Sequence, residues 1–301
     1  MKPRAVHRDA GISLISPASY AFDERVERGT VALSKLGFVP NLAENARARG
    51  PLYFGGTAAE RLADLHAAFV DTTTEAVMCL RGGYGSNYLL DTLDAQRIAK
   101  HPKPLFGYSD LTGVQLHLLD RIGLPAFHGP MAAADFYLED GVHLASFYAA
   151  LEGKLYGAGA EEGLHTLKPG TARGTLYGGC LSILCALMGT PWEPRTEGKL
   201  LFLEDVGEKP YRVDRMLWQL RKAGKFEGVR GFVFGEMLNC GEPEALAESI
   251  IAALDGIDVP IGFGLRSGHV SRQNVTLTFG VEAELTLGTE ARLELREAAV
   301  E

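Results

Sequence analysis

The chain has 301 residues, 46% hydrophobic and 23% charged, enough apolar material for one large core or two smaller ones, and two domains are the expectation. The formal net charge of −8, from 38 acidic against 30 basic residues, comes without the clustered lysines and arginines of a nucleic-acid footprint and argues against such a partner. Met1 to Asp9 leads into no apolar leader region, and no run reaches the roughly 18 apolar residues that would span a bilayer, so the reading is of a cytoplasmic protein without a membrane partner.

In chain order, the first half alternates short apolar runs with amphipathic segments, the pattern of parallel strands joined by crossover helices. Gly11 to Ser16 is predicted as a strand, followed by a helix from Phe22 to Leu36 that stops at Gly37. Phe38 to Val39 opens a short second strand. Thr57, after Gly56, is the N-cap of a helix through Val70, with Leu62, Leu65, Ala68 and Phe69 on one face. Ala76 to Leu80 is a buried strand ending in Arg81-Gly82-Gly83-Tyr84-Gly85, and Leu105 to Gly107 another, ending in Tyr108-Ser109-Asp110 before a helical stretch from Val114 to Leu119. Glu161 to Gly174 lapses into Gly, Pro, Lys and Thr and is expected as a linker. Beyond it come a helix from Leu181 to Met188 and a β-rich half with strands at Leu200 to Leu203, Gly231 to Phe234, Asn274 to Phe279 and Glu284 to Leu287. The last two alternate as half-buried antiparallel strands do.

Two glycine-containing turns at the carboxyl ends of neighbouring strands suggest a site, because ligands of open α/β sheets bind there. Ser109 stands on a strand-to-helix elbow that would push its hydroxyl outward, with the Asp110 N–H at a helix start where an oxyanion is favoured. Leu111 stands where the second glycine of a G-x-S-x-G elbow would be, and Ser109 or Asp110 acting only as a helix cap is the local alternative. The Arg81 to Gly85 turn lacks the Gly-Lys-Ser/Thr ending of a phosphate loop, and Tyr88 replaces the third glycine of a dinucleotide fingerprint. Gly83 suits better as a second backbone donor to an oxyanion.

A serine nucleophile needs a histidine base held by a carboxylate. Of eight histidines, His128 and His269 lie at the ends of apolar stretches, and the local sequence does not choose between them. Leu200-Leu201-Phe202-Leu203 runs straight into Glu204 and Asp205, an apolar strand carrying acid to its end. The four cysteines form no CxxC pair and read as small core residues, and no HExxH or comparable ligand set points to a metal.

Taken together, Arg81 to Gly85, Gly107-Tyr108-Ser109-Asp110, Phe127-His128-Gly129-Pro130, Leu203-Glu204-Asp205 and Gly268-His269 resemble, in order over nearly the whole chain, the motif series of the LD-carboxypeptidase family, which includes microcin-immunity hydrolases. The resemblance implies Ser109 as nucleophile, Glu204 as orienting acid and His269 as base; the Gly83 and Asp110 N–H groups, read from their turns, remain the expected oxyanion hole. It implies an α/β fold: an N-terminal parallel, flavodoxin-like α/β domain over residues 1–165, a C-terminal β-rich, barrel-like domain over 172–301, and an active site in the cleft between them. It also implies a small peptide or muropeptide substrate, no cofactor and a homodimer. Arg81 and Arg266 are candidates for the substrate carboxylate, and Tyr108 and His128 are further substrate-contact candidates. One departure is Cys180, where the family commonly reads Asn in Gly-Gly-Asn-Leu-Ser; a thiol replaces an amide poorly. The competing readings are a microcin-immunity hydrolase of nucleotide conjugates and a non-catalytic flavodoxin-like anion-binding protein.

Overall fold

A computed structural model describes residues 1–301, which divide into two compact units. The first comprises Met1–Lys154, Arg272–Thr278 and Ala299–Glu301; the second comprises Leu155–Ser271 and Phe279–Ala298.

The first unit holds strands β1 (Gly11–Ile15), β2 (Val39–Leu42), β3 (Ala76–Cys79), β4 (Leu105–Gly107) and β5 (Ala126–His128), with helices α1 (Asp23–Lys35), α2 (Ala58–Val70), α3 (Ala95–Ala99), α4 (Thr112–Ile122) and α5 (Leu144–Glu152). β2, β1, β3, β4 and β5 pair in parallel in that order. β1 and β3 are buried almost end to end, as parallel strands covered on both faces must be. The expected helix starts and stops appear at their physical causes. Thr57 Oγ1 accepts the Glu60 N–H at 3.2 Å while Glu60 Oε2 accepts the Thr57 N–H at 2.7 Å, a reciprocal capping box that starts α2. After α1, Gly37 takes the left-handed φ of +98° that ends it.

The second unit holds β6 (Gly157–Ala158), β7 (His165–Lys168), β8 (Gly170–Cys180), α6 (Leu181–Ala186), β9 (Lys199–Glu204), α7 (Pro210–Lys222), β10 (Gly231–Gly235), α8 (Pro243–Ala253) and β11 (Ile261–Leu265). β12 (Leu277–Phe279), β13 (Glu282–Leu287) and β14 (Ala291–Leu295) close the chain. The second sheet runs β6-β14-β13-β8-β9-β10-β11-β7. Its centre, β8 to β11, is parallel, and its flanks are antiparallel. The sheet curls: Thr166 Oγ1 on β7 donates to the Gly288 carbonyl, just past β13, at 3.1 Å, which gives the barrel-like form.

Three features differ from the sequence reading. The expected linker at Glu161 to Gly174 contains β7 and the start of β8, so the division falls after Lys154 rather than between 165 and 172. β12 is the edge strand of the first sheet, in the order β12-β5-β4-β3-β1-β2, and carries residues 272–278 back to the first unit. Asn274 to Phe279 is accordingly buried on both faces instead of alternating. No helix is long and apolar enough to cross a membrane.

Candidate active site

β4 ends at Gly107, Tyr108 continues extended at φ −155°, and Ser109 then turns to φ +66° before a 3-10 turn over Ser109–Leu111 leads into α4. A non-glycine residue with left-handed φ at a strand-to-helix junction carries backbone strain, and it is the geometry of a nucleophile elbow. The helix-cap alternative is not what forms: neither the turn nor α4 has a side-chain cap. Asp110 reaches sideways instead. Its Oδ2 accepts the Ser86 N–H at 2.8 Å, and its carbonyl accepts the Ser86 hydroxyl at 2.6 Å, tying the elbow to the loop after β3.

That loop lies against the serine. A Cβ at position 82 would stand 2.9 Å from Ser109 Cβ and 3.1 Å from Oγ, so only glycine allows this approach. The Gly82 carbonyl accepts the Ser19 N–H at 3.4 Å. With every peptide trans, the Gly83 N–H lies in the same peptide plane as the Gly82 carbonyl and points the opposite way, away from the Ser19 N–H. Gly83 itself has φ +111°, and a Cβ there would meet the Ser19 side chain.

In the second unit, β9 carries Glu204 to full burial at 0% exposure. Its Oε2 accepts both the main-chain N–H of His269 at 3.0 Å and His269 Nδ1 at 2.8 Å. A proton on Nδ1 toward the acid leaves Nε2 as the basic nitrogen. Two glycines make room for the carboxylate. A Cβ on Gly268, at φ +89°, would lie 2.5 Å from Glu204 Cδ, and one on Gly235 would lie 2.6 Å from Glu204 Cβ. Asp205 faces elsewhere and accepts the Ser182 N–H at 2.7 Å; burial raises its carboxyl above the usual range.

Cys180 is the register partner of Glu204 across β8 and β9, with Sγ 3.3 Å from Ser182 Oγ. Burial first, and then the Glu204 charge, push its thiol well above the ordinary value. The other thiols are also buried and raised by burial, Cys240 to about 11 and Cys185 to about 12.

The remaining candidates are dispersed. Tyr108 is buried, and its hydroxyl donates to Asp135 Oδ1 at 3.3 Å. His128 is register-paired with Gly107 and 0% exposed, so it presents no surface to a ligand and instead packs against the Tyr108 ring, with centroids 5.9 Å apart. Arg266 donates from Nη2 to the Glu161 carbonyl. Arg81 is half-buried, with Nη2 3.5 Å from where a Gly83 Cβ would stand. The groupings are thus Ser109 with Gly82, Asp110 and Ser86 in one unit, and Glu204 with His269, Gly268 and Gly235 in the other. Gly82, Ser86, Gly235 and Gly268 escaped the sequence reading; the Gly82-Gly83 doublet and the glycine preceding His269 were the available signals. No group of three or more His, Cys, Asp or Glu side chains is placed to hold a metal ion.

Comparison with known proteins matches the LD-carboxypeptidase N-terminal domain to residues 12–129 and the LD-carboxypeptidase C-terminal domain to residues 173–285. The murein tetrapeptide carboxypeptidase of Pseudomonas aeruginosa is 36% identical over 291 residues, 92% of this chain and 93% of its own. The crystal structure of muramoyltetrapeptide carboxypeptidase from Oxalobacter formigenes superposes with a TM-score of 0.85 at 29% identity, covering 96% of this chain and 99% of that one. An MccF-like protein from Bacillus anthracis superposes at 0.90 with 25% identity, covering 99% of each chain.

Proposed function

The chain belongs to the LD-carboxypeptidase family, and from that premise we propose a serine hydrolase that removes a C-terminal D-amino acid, D-alanine first, from murein tetrapeptides. The observation that carries this reading is Ser109 at φ +66° on its elbow, with Gly82 cleared of any side chain beside it. In this reading His269 takes the Ser109 proton as Oγ attacks the scissile carbonyl, and Glu204 holds the imidazolium that forms. The tetrahedral oxyanion is received by the N–H groups of Asp110 and Gly83. Collapse breaks the C–N bond as His269 returns its proton to the leaving amine, and water, deprotonated by His269, then hydrolyses the acyl-Ser109 ester. Arg81, near the Gly83 turn, is our choice for the substrate carboxylate, since the Arg266 guanidinium is already engaged by Glu161. Four cysteines without a disulfide fit a reducing, cytoplasmic setting, and homodimerisation enters through the family resemblance.

The test is D-alanine release from L-lysyl- or meso-diaminopimelyl-D-alanine tetrapeptides by the wild type and by Ser109→Ala, with chelator and with iodoacetamide. Loss of the nucleophile is expected to lower turnover about 10⁴-fold. Release should survive the chelator because no step of this reading uses a metal, and iodoacetamide because all four thiols are buried and none belongs to the triad. An active Ser109→Ala sinks the triad. A wild type inert on tetrapeptides but active on an aminoacyl sulfamoyl adenosine moves the substrate to the microcin-immunity class, which the MccF-like neighbour keeps in view.

A further inference from the structure

The face of the first unit beside Ser109 carries aromatic rings that neither the core nor the triad uses. Tyr53, Tyr84 and Tyr88 are 45%, 40% and 54% exposed. They are not scattered. Ring centroids of Tyr53 and Tyr84 stand 5.5 Å apart and those of Tyr84 and Tyr88 6.1 Å apart, at interplanar angles of 73° and 85°. Phe54 touches all three, at 4.8, 6.1 and 5.9 Å. Contiguous exposed apolar surface of this kind marks a binding site more often than an accident of packing.

The surface is also held firmly. Arg61 lies 5.1 Å from the Phe54 centroid, and its Nη1 donates to the Pro17 and Gly85 carbonyls at 2.8 and 2.7 Å. A Cβ at Gly85, which has φ +116°, would stand 2.5 Å from Phe54 Cε1, so glycine there is what lets the ring lie on the loop. The Tyr84 N–H donates to Ser19 Oγ at 3.0 Å, and Ser86 is fastened to Asp110. Tyr84 is therefore two residues from the glycine that abuts the nucleophile, on a loop pinned on both sides. Preorganised rings with two side-chain torsions each lose little entropy on binding.

We propose that Tyr53, Tyr84, Tyr88 and Phe54 form a subsite that stacks the sugar ring of a glycan-bearing muropeptide, an inference that rests on the carboxypeptidase reading above. The π faces are electron-rich, and the C–H face of a pyranose presents the complementary positive hydrogens. The phenol hydroxyls supply donors and acceptors for sugar hydroxyl and acetamido groups at the rim. A neutral ring fits better than a nucleotide, because Arg61 beneath the patch is 3% exposed and occupied by carbonyls, and the other cation near the Gly83 turn, Arg81, is assigned in the reading above to the peptide carboxylate. Alanine and short acidic side chains of a bare peptide stem would cover little of four rings.

The experiment compares an N-acetylmuramyl tetrapeptide with the free tetrapeptide on the wild type, Tyr53→Ala, Tyr88→Ala and the double variant. These side chains are exposed, so the fold should be retained, which a thermal melt checks. Each variant is expected to raise KM for the glycan form about 10-fold with kcat little changed, and to leave the free tetrapeptide unaffected. Calorimetry on the Ser109→Ala background reads the same subsite without turnover, as a matching loss of affinity for the glycan form. Tyrosine-dependent binding there, with no hydrolysis by the wild type, supports the subsite and removes the carboxypeptidase reading; hydrolysis with no tyrosine dependence does the reverse. Equal KM increases on both substrates assign the rings to the peptide and overturn the proposal. So does tyrosine-dependent binding of adenosine monophosphate in competition with the glycan form.

Discussion

Gly268 shows how a residue with no side chain controls the hydrogen-bonded pair of Glu204 and His269, the acid and base of the proposed triad. Its φ of +89° lets the chain turn so that the N–H and Nδ1 of the following His269 both reach Glu204 Oε2, and a Cβ there would lie 2.5 Å from the Glu204 Cδ and 2.7 Å from that same oxygen. Gly268→Ala must push acid and base apart, and displacements approaching 1 Å cost about 10²-fold in rate. The positive φ adds strain of about 1–3 kcal/mol. Gly198→Ala separates the two effects, since Gly198 has φ +73° with nothing within 4 Å of where a Cβ would stand. We expect both variants to lose stability in thermal melts and Gly268→Ala alone to lose kcat; equal kcat for the two would show that the clearance does not matter. At this scale a partner for Glu204 was legible, because an apolar strand running into a buried carboxylate demands one. The strain at Ser109 was not, since left-handed φ in a serine leaves no local signature and a helix cap reads the same.

Among the elements, α4 does more than cross over from β4 to β5. Gln115, in its first turn, is 2% exposed, and its Nε2 stands 3.1, 3.0 and 3.1 Å from the carbonyls of Leu105, Gly107 and Phe127. Two N–H groups serving three acceptors hold the ends of β4 and β5 together just before the elbow. Gln115→Leu keeps volume and helix propensity but leaves buried carbonyls without a donor, at a cost of about 1–3 kcal/mol. Because Gly107 is two residues before Ser109, kcat is expected to fall as well. Urea melts with parallel kinetics check this, and an unchanged midpoint would remove the stitching role. α2 was readable from Thr57 and Glu60 because a capping box is local chemistry. β7 was not: it is the edge strand of the second sheet, partly exposed, and the polar and glycine-rich composition that mimics a linker is also what a protected edge carries. The parallel order β8 to β11 was likewise hidden, because α7 and α8, the crossovers that would have announced it, were not read from the sequence.

At the scale of the whole molecule, the chain enters the first unit three times, which no local pattern declares. After leaving at Lys154 it returns as Arg272–Thr278 and again as Ala299–Glu301. The first return places Asn274 Nδ2 3.1 Å from Asp135 Oδ1 and the Thr276 N–H 2.9 Å from Ser146 Oγ, and adds β12 to the free edge of β5. The second pairs Glu301 with Ala5 and Pro3 at 2.8 and 3.0 Å. Val275, Leu277 and Val300 are buried in these returns. At about 1.5–3 kcal/mol each their loss approaches the whole stability of a typical domain. A fragment ending at residue 154 therefore exposes both a sheet edge and a hydrophobic seam, and extending it to 165 restores neither. We expect the 1–154 fragment to bind a hydrophobic dye and melt without cooperativity. The same fragment joined through a flexible linker to residues 272–279 should recover a cooperative melt, because the edge strand and the Asn274 contact return with it. Cooperative unfolding of 1–154 alone would mean that the returning segments decorate the first unit instead of completing it.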